Sequence, residues 1–173
     1  MYIQSEEGSV GIPEFGESID SATFEQILEM DDDEEEREFS RSIVYDFFQQ
    51  AETTFQKMDA NLYVETMPRA LSPYCAFASS TDTSPSPSES KDLAQLSALG
   101  HFLKGSSATL GLTKVKDSCE KIQHFGANKD ETGTKDEPDD EVCLANLKTI
   151  IAQAKEEFRE VEKALRRFYH DSD

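Results

Sequence analysis

From Leu144 to Phe168 the apolar residues arrive in steps of three and four: Leu144, Leu147, Ile151, Ala154, Phe158, Val161, Leu165 and Phe168. That spacing draws one stripe along a helix of 3.6 residues per turn and is incompatible with the two-residue alternation of a half-buried strand. Acids stand at the start of the segment and Arg166 and Arg167 in its last turn, as the helix macrodipole favours. An amphipathic helix cannot bury its own stripe, so the chain must supply partners. Arg37 to Leu62 carries a second stripe at Phe39, Ile43, Phe47, Ala51, Phe55, Met58 and Leu62, widened by Phe48. A third helix, starting near Lys91, turns Leu93, Leu96, Leu99, Leu103 and Leu110 inward. Thr113 caps a fourth, with Val115, Cys119, Ile122 and Phe125 inward and Gly126 as terminator. A shorter helix fits Ser21 to Met30, with Asp20 as N-cap and Ile19 and Phe24 spaced as a hydrophobic staple. The expected fold is all-α: an antiparallel four-helix bundle with a short additional N-terminal helix.

The remaining segments divide the chain. Residues 1–18 read as a flexible acidic tail and 19–173 as a single domain. A disordered insertion is expected at about 64–91, where Pro68, Pro73, Pro85 and Pro87 stand among serines and threonines. A polar loop is expected at about 127–141. The insertion carries Ser84-Pro85 and Ser86-Pro87, common dipeptides in such segments, and its part from Ser79 to Glu89 is expected to be dispensable for folding.

Charge narrows the function. The net charge of −19 leaves little to attract a phosphate backbone or an anionic bilayer. No apolar run approaches the ~18–20 residues of a membrane span, and the first residues do not read as a signal peptide. Cys75, Cys119 and Cys143 are odd in number and widely spaced, which favours a reducing compartment over a disulfide framework or a structural zinc site. Gly100 and Gly105-Ser106 lack the lysine of a phosphate-binding loop, Asp31-Asp32-Asp33 lacks the spacing of a calcium loop, and no protein-kinase signature is present. The chain is therefore not expected to use ATP itself or to hold a metal.

The stretch Gly100-His101-Phe102-Leu103-Lys104-Gly105-Ser106-Ser107-Ala108 holds the chemistry. His101 lies two positions from both Leu99 and Leu103, about 200° around the helix from each, and so faces outward. Lys104 and Gly105 follow at i+3 and i+4 on the same face. Helical side chains lean toward the N-terminus, so a residue larger than glycine at 105 would lean over the imidazole. Glycine costs about 1 kcal/mol in mid-helix relative to alanine, yet here it keeps the ring uncovered, and Ala108 one turn on is also small. An exposed imidazole, nucleophilic near pH 7, beside a cation and a bare patch suits acceptance of an anionic group from a large partner. The alternative from a different class is a noncatalytic acidic helical adaptor that binds a partner helix. An adaptor has no use for Gly105 or for an exposed histidine beside a lysine.

His101-x-x-Lys104-Gly105-Ser106-Ser107-x-x-x-Gly111 resembles the phosphorylation motif of the histidine-containing phosphotransfer (HPt) family. Cys119-Glu120-Lys121-Ile122-Gln123 and Ile27-Leu28-Glu29-Met30-Asp31-Asp32-Asp33 are similar to its fungal osmosensing branch. The resemblance implies a phosphorelay intermediate. His101 would take a phosphoryl group from the aspartate of a receiver domain of a hybrid histidine kinase and pass it to that of a response regulator. It makes Lys104 the phosphate-stabilising cation, Gly105 the access residue and Gln123 the residue that orients the imidazole. Ala127 stands where the family often has a second basic residue. The resemblance implies no cofactor bound by this chain, with Mg2+ carried by the receiver. It points to a monomer, working in the cytoplasm and nucleus. Partner contacts are expected at Ile27 and Met30, with Phe24 and Leu28 facing the bundle, at Asp31 and Asp33 on the rim, and at Ala108.

Overall fold

The structure, a computed structural model, describes residues 16–33, 36–66 and 89–170. It contains α1 (Ser21–Leu28), α2 (Glu38–Thr66), α3 (Glu89–Thr109), α4 (Thr113–Gly126) and α5 (Asp140–Phe168). Each of the four long helices packs on two neighbours, in the closed order α2, α3, α4, α5. Lys155 meets Asp59 while Tyr169 meets Ser40, so α2 and α5 are antiparallel. Ser97 and Lys104 of α3 meet Gln123 and Glu120 of α4, again antiparallel. The result is the expected four-helix bundle with a short extra helix.

α1 covers one end of the bundle. Asp20 caps it, its carboxylate accepting from the Ala22 amide at 3.2 Å and the Thr23 hydroxyl at 2.6 Å. Ile19 and Phe24 are both buried, as a staple requires. The Asp20 amide donates to the Gly111 carbonyl at 2.7 Å, and the Phe24 ring meets the edge of Phe168 at 5.9 Å. The expected tail ends earlier than residue 18: Gly16–Ser18 form a 3-10 turn, and the Thr113 hydroxyl donates to the Glu17 carbonyl at 2.5 Å. Thr113 is thus the first residue of α4 and ties down the turn before α1; it is not the cap, a position held by Leu112 without a side-chain bond.

The stripe of α2 is rotated from the expected one. Ser40, Val44, Phe47, Phe48, Ala51, Thr54, Phe55 and Met58 are buried, whereas Ile43 is half-buried and Phe39 is 45% exposed. Each step of four advances 400°, so the steps from 39 to 55 drift steadily around the helix and leave Phe39 off the buried face. The two polar residues in the true stripe are satisfied. Tyr169 and Ser40 share a hydrogen bond of 2.9 Å, and Thr54 donates to the Gln50 carbonyl at 2.7 Å. Phe47, Phe48 and Phe55 gather around Phe158 of α5 with centroids 5.8–6.0 Å away.

α3 buries Leu93, Leu96, Gly100, Leu103, Ser107 and Leu110, with Leu99 half-buried on the flank. A Cβ on Gly100 would stand 2.8 Å from the Gln123 amide nitrogen and 3.0 Å from the Cys119 carbonyl. A Cβ on Gly126 would stand 2.5 Å from the Ser97 nitrogen. These two glycines let α3 and α4 approach backbone to backbone. Gly126 is therefore a packing residue within the last turn, and the left-handed conformation beyond α4 falls on Asn128, φ 54°.

The insertion is narrower than expected. α2 runs to Thr66 and α3 begins at Glu89, so 64–66 and 89–91 are helical, and residues 67–88, including both Ser-Pro pairs, lie outside the described residues. The polar loop ends at Asp139, which caps α5 by accepting from the Glu141 and Val142 amides. It is ordered by an antiparallel bridge between Lys129 and Asp136 and by Asp130, whose carboxylate accepts from Thr132, Thr134 and Lys135. Those hydrogen bonds hold the Asp130 carboxyl below its usual range against the opposing effect of desolvation. His124 lies half-buried under this loop: its Nδ1 is 2.9 Å from the Glu131 carbonyl, and the ring lies against Gly133.

Candidate functional site

The outward face of α3 carries His101, exposed as the helical angle predicts, about 12 Å along the axis from the end covered by α1. Its partner comes from α4. Because Gly100 has no side chain, the α4 backbone at Gln123 approaches closely, and the Ser97 hydroxyl fixes it by donating to the Gln123 carbonyl at 2.9 Å. The Gln123 side chain then reaches the ring, with Oε1 3.3 Å from His101 Nδ1. An amide oxygen only accepts, so Nδ1 is the donor in this contact and Nε2 is the ring nitrogen left for a partner. The contact fixes the orientation of the ring and leaves Nε2, the nitrogen that is nucleophilic when the ring is neutral, free of the bundle.

Lys104 lies one turn along α3 and is half-buried. Its Nζ is bound to Glu120 Oε1 at 3.3 Å, a partner the sequence reading missed. The signal was present: Glu120 precedes Gln123 by one turn as Lys104 follows His101 by one turn, and antiparallel helices align the two pairs. A Cβ on Gly105 would have nothing within 4 Å, so no neighbour demands glycine there. Packing leaves the patch beside His101 open. Phe102 is 49% exposed and Ala108 is exposed on the same helix. A shallow groove of about 260 Å3 between α2 and α3, lined among others by Ile43, Gln50 and Ser106, continues this surface.

Beneath the site, burial and, secondarily, the charge of Glu157 push the Cys119 thiol up to about 12, so it is an inert core group. Ser118 donates to the same Glu157 at 2.6 Å. Among the described residues, no group of three or more His, Cys, Asp or Glu side chains is placed to hold a metal ion. No helix among them is long and apolar enough to cross a membrane.

The residues expected at the partner surface divide. Met30 is 63% exposed, beyond the end of α1. Ile27 is not outward-facing: it is 8% exposed and belongs to the core with Phe24, while Leu28 is half-buried. Positions 27 and 28 flank position 24 on opposite sides by 60° and 40°, so both can share the buried face. Asp31 is not a free rim charge. Its Oδ1 accepts from the Ser40 amide at 2.9 Å and so caps α2 from outside, where the flanking residue Arg37 has no side-chain acceptor. Asp33 is exposed and accepts from the Glu36 amide at 3.4 Å. Ala127, the C-cap of α4, is exposed.

Comparison with known proteins agrees with this geometry. The family model described as "Hpt domain" matches residues 42–157. The chain is 38% identical to multistep phosphorelay regulator 1 of Schizosaccharomyces pombe over 151 residues, 87% of this chain and 42% of that protein. It is 39% identical to phosphorelay intermediate protein YPD1 of Candida albicans over 108 residues, 62% of this chain and 44% of that one. The chain thus spans less than half the length of these two relatives. Among solved structures, it superimposes on Saccharomyces cerevisiae Ypd1, crystallised with the receiver domain of its downstream response regulator Ssk1. The TM-score is 0.64 at 26% identity, covering 88% of this chain and 95% of that one. With a bundle that displays one histidine beside a lysine and a bare glycine, and with two thirds of its length matched by the family model, the chain belongs to the Hpt domain family.

Proposed function

We propose that this chain is a phosphorelay intermediate that carries a phosphoryl group on His101 Nε2 between the aspartates of receiver domains. The observation that carries this reading is the His101–Gln123 contact of 3.3 Å on an otherwise uncovered helix face. The Nε2 lone pair attacks the phosphorus of a receiver's aspartyl phosphate as the bond to the carboxylate oxygen breaks. The electron pair leaves with the carboxylate, and the N–P bond forms. The ring gains positive charge, shared with the proton on Nδ1, which Gln123 Oε1 continues to accept. Transfer onward is the same step in reverse on a second receiver. Mg2+ held by the receiver would add to the charge neutralisation that Lys104 supplies.

His101 is the site of the phosphoryl group, Gln123 fixes the ring, Lys104 neutralises the phosphoryl charge, and Gly105 keeps the approach open. Met30, Asp33 and Ala108 join the receiver contact around it. The hybrid-kinase receiver is the donor and a response regulator the acceptor; the chain acts as a monomer and uses no ATP. Buried free thiols at Cys119 and Cys143 support a reducing compartment, the cytoplasm and nucleus.

The test is incubation with the phosphorylated Ssk1 receiver domain. An acid-labile, base-stable phosphate should form on the wild type, and His101→Gln should stay folded and unlabelled. Equal labelling of that variant, or no labelling of the wild type, refutes the reading in favour of a noncatalytic adaptor.

A further inference from the structure

The two helices of the site meet in two successive rungs. His101 and Lys104 lie one turn apart on α3, Gln123 and Glu120 one turn apart on α4. His101 pairs with Gln123 and Lys104 with Glu120, both at 3.3 Å. The ammonium that must neutralise an arriving phosphoryl group is therefore already engaged by a carboxylate. Lys116 and Lys121 of α4 are paired elsewhere, with Asp117 and Glu131. Lys104 is thus the cation one turn from His101, and its ammonium is held by Glu120.

We propose that Glu120 is a counter-ion that competes with the phosphoryl group for Lys104, and thereby sets how far the transfer equilibrium lies toward phosphorylated His101. This rests on the phosphocarrier reading above. When the N–P bond forms and the receiver's carboxylate leaves, the anionic oxygens arrive one turn from Lys104 Nζ. The ammonium exchanges a single carboxylate for the more highly charged phosphoryl group, so part of its attraction for phosphate is offset by the Glu120 pair it gives up. In the empty protein the same pair cancels a positive charge beside the imidazole. Glu120 thus keeps the carrier from retaining its cargo, as onward transfer requires. The pair is not needed as a structural tether: the two side chains are 26% and 45% exposed, a setting in which ion pairs add little stability.

Glu120→Gln removes the charge and keeps the volume, and Glu120→Ala removes both. The measurement is the equilibrium distribution of radiolabel between the Ssk1 receiver domain, charged with labelled acetyl phosphate, and this chain. Either variant should raise the equilibrium constant toward phosphorylated His101 about threefold, the size expected of an exposed charge pair. The gain should diminish at high salt. In a Lys104→Ala background the same substitutions should change it by less than about 1.5-fold, because the competition acts through Lys104. An unchanged equilibrium in the wild-type background overturns the proposal. So does an equal change in both backgrounds, which would mean direct repulsion of the phosphate. Either result with His101 still labelled sinks only the role of Glu120, whereas label that persists in His101→Gln removes the carrier reading itself.

Discussion

Gly100 and Gly105 lie five residues apart in one helix, and the same substitution should act on them with opposite signs. Replacing a mid-helix glycine with alanine gains about 1 kcal/mol of helix propensity at either position. At Gly105 nothing lies within 4 Å of the new methyl group, so that gain should appear undiminished. At Gly100 the methyl would stand 2.8 Å from the Gln123 nitrogen, 2.9 Å from Ile122 Cγ2 and 3.0 Å from the Cys119 oxygen. Two of these are backbone atoms of α4, which cannot swing aside as a side-chain end can. Overpacking of this kind costs about 1–3 kcal/mol and outweighs propensity across most of that range. The two variants should therefore differ by roughly 1–3 kcal/mol in urea unfolding followed by circular dichroism. Gly105→Ala should raise Tm by about 2–4 °C and Gly100→Ala should lower it. A displaced α4 also carries Gln123 away from His101 Nδ1, so Gly100→Ala should accept phosphate more slowly even where it is fully folded. Equal stabilisation by both substitutions, with unchanged transfer, would refute the claim that the close approach at Gly100 builds the site.

Ile27 and Met30 should separate just as cleanly. Ile27→Ala, in the core, should cost about 2–4 kcal/mol of stability, whereas Met30→Ala should cost within about 0.5 kcal/mol and weaken receiver binding about fivefold through faster dissociation. An unchanged affinity for Met30→Ala, measured by surface binding kinetics, would remove that residue from the docking face. Alkaline stability should follow the Cys119 thiol, which rises from 9.0 to about 12 on folding. The folded state then holds a proton that the unfolded chain releases. Its contribution is complete below pH 9 and is lost as pH rises toward 12. Tyr169, also raised by burial, adds to the loss above pH 10. Cys119→Ala should show a shallower fall in unfolding free energy between pH 9 and 11 than the wild type, and identical slopes would contradict the buried-thiol account.

What the sequence alone determined is the part governed by helical angle. Steps of three and four made the four long helices legible, and two positions of offset from Leu99 and Leu103 turned His101 outward before any tertiary contact was known. The grouping of His101, Lys104 and Gly105 on one face is likewise local, since i+3 and i+4 neighbours meet in any α-helix. Capping by Asp20 and the Ile19–Phe24 staple are local in the same sense. Tertiary structure decided what depends on the approach of one helix to another. Gly126 read as a helix terminator and Gly100 only as a glycine without the rest of a phosphate-binding loop, and only the α3–α4 crossing shows that each makes room for a facing backbone. Glu120 read as one more acid in an acidic chain until the antiparallel register placed it opposite Lys104. Ile27 and Asp31 sit where α1 folds over the bundle end, and their burial and capping follow from that docking, which no periodicity encodes. Ser40 was the weakest sign of all: a polar residue in the α2 stripe, buried because a tyrosine 129 positions away shares a hydrogen bond with it.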